Sequence, residues 1–403
     1  MLNNFTAAPH RVMFFAGAIQ TLLAMAWWLF ELTTRYVFPA HMVAWPIFPT
    51  AIHSWLLLSG MLPFFIFGFL MTTFPRWMNG KEIPASRYVP AFVLMFIGAL
   101  IFYVGLFFGK ALIVGATLCL LAGWALALYA LLRVLLDTTH LDKRHPIMLF
   151  IALCLGWLGL AGFLVWLLTE AHFFLQFFLR VGLWGFVLPV FATVAHRMIP
   201  FFTSSAFSQQ EIPRPFWPWW IMLAASVTHG LLELFGMPGW LWLCDIPLAL
   251  SSLYFSYLWG FRRSFRNPLL AVLHVGFAWM GVAMLLYAVQ SLWLLAHHGT
   301  GFIWSLAPLH ALTIGCYATL MIGMGTRVTL GHSGLPFTID TSIKLMFVGI
   351  QITALMRILA DLLPLPTVWM YLGATVLWLV CFVAWAWRYL PAFWRPRADG
   401  QPG

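Results

Sequence analysis

The sequence predicts an all-α, polytopic membrane protein with 12 transmembrane helices. Three observations carry that reading. Of 403 residues, 63% are hydrophobic and only 8% are Asp, Glu, Lys or Arg, whereas soluble chains carry about 25% charged residues. The few charges are clumped, and the apolar runs between clumps are about 20 residues long, enough to cross a bilayer as helices. Lys and Arg also alternate loop by loop, 17 on one side and 4 on the other. Loops rich in Lys and Arg stay cytoplasmic, so the pattern predicts an even number of spans with both termini inside.

Each span is framed by its charges. The first, near 11–30, lies between Arg11 and Arg35, and the second, 51–74, stops before Arg76. The third, 88–108, runs from Arg87 toward Lys110, and the fourth, 112–134, from Lys110 to Arg133. The fifth, 146–168, follows Lys143 and Arg144; the sixth, 176–195, ends before Arg197. The seventh and eighth, 217–236 and 240–259, lie between Arg214 and Arg262. The ninth, 268–295, follows Arg266, and the tenth, 303–325, ends before Arg327. The eleventh, 342–362, contains Lys344 and Arg357, and the twelfth, 367–387, ends before Arg388. No stretch outside these is long enough for a second domain, so residues 1–403 read as a single transmembrane domain. The first segment is expected to be a span rather than a cleaved signal, since no small-residue cleavage site with a polar start follows it.

The net charge of +10 is explained by anchoring at the cytoplasmic face, not by nucleic acid. Cys119, Cys154, Cys244, Cys316 and Cys381 all fall inside spans, none in a CxxC or CxxCH pattern. Covalent c-type haem and iron–sulfur clusters are therefore not expected, and the thiols read as small buried apolar groups. No Walker A, GxGxxG or GxSxG sequence is present.

Ionisable residues inside a membrane are costly, and are functional candidates for that reason. Carboxylates are scarce: Glu233 and Asp245 flank a short non-cytoplasmic turn and are expected to be solvated, which argues against proton-coupled transport. Histidines remain. His10, His53, His172, His196, His229, His274 and His310 lie in spans or at their mouths, and imidazole is a common ligand of metals and of haem iron. Depth along the helices places His53, His310 and His229 toward the outer side, and His274, His196 and His332 toward the cytoplasmic side.

The tenth span is the most informative. Ala311, Gly315, Thr319 and Gly323 recur every fourth residue, a small-residue stripe that admits a neighbouring helix or a flat porphyrin. His310, Tyr317, Met321 and Met324 line an adjoining face. On the second span His53 and Gly60 share a face, with Pro63 and Gly68 adding a kink or room. Three cytoplasmic helix ends look alike: GFLMTTFPRWMNG (Gly68–Gly80), AHRMIPFFT (Ala195–Thr203) and GTRVTLGHSG (Gly325–Gly334). Their arginines, Arg76, Arg197 and Arg327, are 121 and 130 residues apart, a hint of three four-helix units. These arginines suit haem propionates or lipid phosphates as well as plain anchoring.

The stretch HALTIGCYATLMIGMGTRVTLGHSG (His310–Gly334) resembles the signature region of the NnrS family of bacterial membrane proteins. PHRVMFFAG (Pro9–Gly17), GFLMTTFPRW (Gly68–Trp77), RMIPFFT (Arg197–Thr203) and LLAVLHVGFAWM (Leu269–Met280) follow in family order and extend the likeness over the whole chain. The resemblance implies twelve transmembrane helices, bound haem and copper, and a role in the response to nitric oxide and nitrosative stress. Where the family pattern resembles WHAHEM, this chain has Ile52, His53, Ser54, Trp55, Leu56 and Leu57. It therefore keeps the first histidine and lacks the second and the glutamate. The aromatic residue after His274, commonly Tyr in the family, is Phe277.

The outline is also similar to the haem–copper oxidase fold, in which three arcs of four helices hold a bis-histidine haem on the second and tenth. On that likeness His53 and His310 are expected to ligate haem b, with Arg327 and Arg197 as cofactor-binding partners. His274, His332, His196 and His229 are the expected metal ligands, copper being the implied ion. The oxidase copper pattern is absent: the seventh span has only His229, and the adjacent His297 and His298 lie in a loop. The resulting expectation is a haem-binding inner-membrane protein acting on nitric oxide or its metal adducts by metal–nitrosyl or electron-transfer chemistry. Its rivals are a haem–copper reductase or quinol oxidase, and a membrane transporter.

Overall fold

The computed structural model describes residues 2–207, 211–301 and 303–400. Twelve long helices account for most of them: α1 (Pro9–Tyr36), α2 (Pro49–Trp77), α3 (Ala85–Phe108), α4 (Lys110–Asp137), α5 (Arg144–Thr169), α6 (His172–Ala206), α7 (Phe216–Leu234), α8 (Trp242–Leu258), α9 (Pro268–Ala296), α10 (Ala307–His332), α11 (Thr341–Leu362) and α12 (Thr367–Phe393). There is no strand among the described residues. Every apolar segment of the sequence forms a helix. Ten of them are long and apolar enough to cross a membrane, and the protein is a multi-pass membrane protein. Large apolar side chains stay exposed along these helices, among them Val104, Phe107, Leu118, Val380, Val383 and Trp387, as lipid-facing surfaces require.

α7 and α8 are the two that fall short. α8 has 17 residues, about 25 Å at 1.5 Å per residue, against a hydrocarbon core of about 30 Å. α7 opens with Trp217, Pro218, Trp219 and Trp220 and carries His229 and Glu233 near its end.

The chain sorts into two compact units. The first comprises Met1–Val187, Val328–Phe337 and Phe382–Gly403; the second comprises Leu188–Arg327 and Thr338–Cys381. In the first, α1 and α2 lie so close that a Cβ on Gly68 would come within 2.9 Å of both Met13 and Phe14. Such small-residue contacts drive helix pairing in lipid, where no hydrophobic force acts between helices. α2 bends where expected: the Trp55 carbonyl accepts from both Ser59 and Gly60 at 2.9 Å, and Pro63 opens the next segment. In the second unit, a Cβ on Gly315 would sit 2.7 Å from the Trp279 ring and one on Gly323 2.9 Å from Val272. The small-residue stripe of α10 is thus filled by α9. Asn267 caps α9 by accepting from the Leu269 amide at 3.1 Å, and Asp340 caps α11 by accepting from Ile343 at 3.1 Å.

Two stretches depart from α geometry. Val181–Val187 in α6 and Ala311–Ala318 in α10 are wound as π-helix, a form that gathers at functional positions. The second begins immediately after His310.

Candidate functional site

In the first unit, His10 from the opening turn of α1 meets His332 from the last turn of α10, with ring centroids 4.5 Å apart and planes tilted by 41°. His10 is buried. Thr72 of α2 explains its orientation. The Thr72 hydroxyl donates to the Gly68 carbonyl at 2.8 Å, so toward His10 Nδ1, at 3.4 Å, it can only accept. That places the His10 proton on Nδ1 and the lone pair on Nε2. Arg11, Arg76 and Arg397 lie within electrostatic reach of the pair. The C-terminal segment covers this end: Arg11 Nη1 donates to the Arg395 carbonyl at 2.8 Å, and the Ala398 amide to the Ser333 carbonyl at 2.9 Å. Three stretches of the sequence, Pro9–Gly17, Gly68–Trp77 and the end of His310–Gly334, therefore converge on one place.

The second unit repeats the device. Thr203 of α6 donates to the Ile199 carbonyl at 2.8 Å, and its oxygen lies 3.0 Å from His274 Nε2 of α9. The imidazole must donate there, which leaves the lone pair on Nδ1, a buried atom with no hydrogen-bond partner among the described residues. His196 points elsewhere. Its Nε2 donates to the Pro215 carbonyl at 3.2 Å, and its ring is boxed by Phe216, Trp219, Phe255 and Trp259.

The expected haem ligands belong to different units. His53 is half-buried and stacks on Trp28, ring centroids 4.1 Å apart. His310 donates from Nδ1 to the Leu306 carbonyl at 2.9 Å, which fixes the lone pair on Nε2. Arg327 lies over the Phe202 ring at 3.9 Å, and Arg197 is half-buried on α6. Tyr317 packs on Phe191 with centroids 4.8 Å apart.

Asp245 is not solvated but fully buried, because α8 starts at Trp242 and turns it toward α7. There its Oδ1 lies 2.6 Å from His229 Nδ1. Glu233 is also largely covered, its side chain 14% exposed and its Oε2 3.8 Å from His229 Nε2. An ion-pairing partner on the adjoining helix offsets the cost that should have kept Asp245 in water.

Imidazoles whose protons are fixed by a hydroxyl or carbonyl are prepared ligands, because the partner sets both tautomer and ring orientation. By that standard His10, His274 and His310 fit haem iron or copper. No curated protein matches the chain. The family described as NnrS protein matches residues 4–397, nearly the whole length, and it is to the NnrS family that this chain belongs.

Proposed function

We propose that the protein binds haem and copper and acts in the bacterial response to nitric oxide. In this reading it lies in the cytoplasmic (inner) membrane with twelve spans and both termini inside. The observation that carries the reading is the convergence of family-like stretches on histidines of fixed tautomer: His10 with Thr72 and His332, and His274 with Thr203. His53 and His310 would hold haem b, while Arg197 and Arg327, at the opposite, cytoplasmic helix ends, would serve acidic groups there rather than on that haem. His274, and His332 with His10, would hold copper. When bound, these groups supply redox-active centres with affinity for nitric oxide. The chain's own part is positioning. Leu306 fixes the His310 proton, Trp28 restrains the His53 ring, and Phe202 holds Arg327 in place by its ring face.

An absorption spectrum and metal analysis of the purified protein test this. The expected result is a Soret band with copper present; a colourless protein without copper would overturn it. The nitric oxide role is tested by growth of a deletion strain, which should be impaired under nitric oxide and rescued by the gene.

The buried Asp245–His229 pair favours a second reading, a proton-coupled carrier, since such carriers need a carboxylate within the membrane. Substrate counterflow in metal-free liposomes would support it.

A further inference from the structure

α7 and α8 are joined by a short turn, and close to it on either side they present a mixed set of donors. His229, Cys244 and Asp245 are all fully buried, and one ligand atom from each lies within 4.8 Å of the others. They form the one such group of three among the described residues. Glu233 stands beside it, 3.8 Å from His229. Cys244 Sγ contacts the Leu241 carbonyl at 3.0 Å and Asp245 Oδ1 at 3.8 Å. Asp245 Oδ2 is buried and has no hydrogen-bond partner among the described residues. Neither helix carries Lys or Arg, so His229 is the one basic side chain they offer to balance these acids.

We infer that this cluster is a binding site for a borderline divalent transition ion of the zinc(II) class. Thiolate, imidazole and carboxylate together form a ligand set for such an ion, and a poor one for the hard cations calcium and magnesium, which take oxygen. Binding releases the Cys244 proton and the proton that pairs His229 with Asp245, so that the imidazole coordinates as a neutral ligand. The thiolate and the Asp245 carboxylate then neutralise the dication, and His229 supplies a nitrogen, with Glu233 as fourth ligand or as a partner to the imidazole. The ion takes over the carboxylate's charge compensation inside two helices that are otherwise too short or too polar to span with ease. His229 is one of the metal ligands expected from the sequence, but the site shares no residue with the haem and copper positions of the proposed function, and its existence does not depend on them.

The test uses full-length protein in detergent, treated with chelator and reloaded with zinc alone. Bound zinc is measured after equilibrium dialysis, and its ligands by X-ray absorption. The expected result is one zinc per chain with one sulfur at about 2.3 Å and the remaining ligands nitrogen or oxygen at about 2.0–2.2 Å. Cys244→Ser should remove the sulfur scatterer while Cys316→Ser keeps it. Asp245→Asn should weaken binding at least ~10-fold. Zinc that is not retained, a spectrum without sulfur, or a sulfur signal that survives Cys244→Ser would overturn the proposal. Each variant is checked for unchanged helix content by circular dichroism, and Cys244→Ala serves as a second variant if the serine fails to fold. Haem content of the same samples is read separately, so loss of the haem reading leaves this result standing.

Discussion

The Thr203 hydroxyl and the His274 imidazole are 3.0 Å apart, and the hydroxyl's only proton is committed to the Ile199 carbonyl at 2.8 Å. The contact therefore runs from His274 Nε2–H to Thr203 Oγ1. Thr203→Val removes the acceptor and strands a buried N–H, at a cost of about 1–3 kcal/mol. Thermal unfolding in detergent should show a lowered Tm, with Thr203→Ser restoring it. If copper is held at His274, the valine variant should also carry less of it.

Thr72 stands in the same relation to His10, but at 3.4 Å. That distance lies beyond the usual range for N–H···O, so Thr72→Val should cost less than Thr203→Val. His10→Ala and His332→Ala should lower copper content alike, since the rings are in contact. Metal analysis that finds copper unchanged in both would remove the pair from the site.

His229→Leu leaves Asp245 buried with its charge uncompensated, which costs about 3–5 kcal/mol for a buried pair. The double variant His229→Leu/Asp245→Leu should recover most of that loss. A double variant that is as unstable as the sum of its singles would contradict the coupling. The unfolding curves are taken on metal-free protein.

Gly315→Ala tests the helix contact that fills the α10 stripe. The new Cβ would meet the base of the Trp279 ring at 2.7 Å. That ring is tethered: Trp279 Nε1 donates to Gln351 Oε1 at 2.8 Å, and Gln351 Nε2 to Thr319 at 2.8 Å. Overpacking of this kind costs about 1–3 kcal/mol, read as a fall in Tm. Ala at Gly185, where the neighbours stand at 3.4 Å or more, should be milder.

Outside the spans, Arg144 donates to the Asp142 carboxylate from Nε and Nη2, both at 2.9 Å, and holds that carboxyl below the usual carboxylate range. A depressed folded pKa gives stability that is present above the unfolded value, near 3.9, and lost as pH falls through the folded one. Both side chains are more than 40% exposed, so the effect is small. Asp142→Asn should lower Tm slightly at pH 7, and high salt should erase the difference.

The helices were legible because apolar runs of bilayer length, framed by clumped charges, leave the backbone few alternatives. The bend in α2 was legible from Pro63 for the same local reason. The pairing of His10 with His332 was not, since nothing in either helix says that the start of α1 meets the end of α10. Asp245 was misread because it lies three residues into α8, beside a turn. The signal was available, however. A short turn makes α7 and α8 antiparallel neighbours, and His229 and Asp245 stand at similar distances from it. The tautomers came into view only when each threonine's proton could be followed to its carbonyl.

Haem held through the histidines of this chain is tested most directly by the absorption spectrum of purified His310→Ala beside wild type. Wild type should show a Soret band that is lost or markedly reduced in the variant, with helix content unchanged. A wild-type spectrum without a Soret band, or a His310→Ala protein that keeps its full haem, would contradict it.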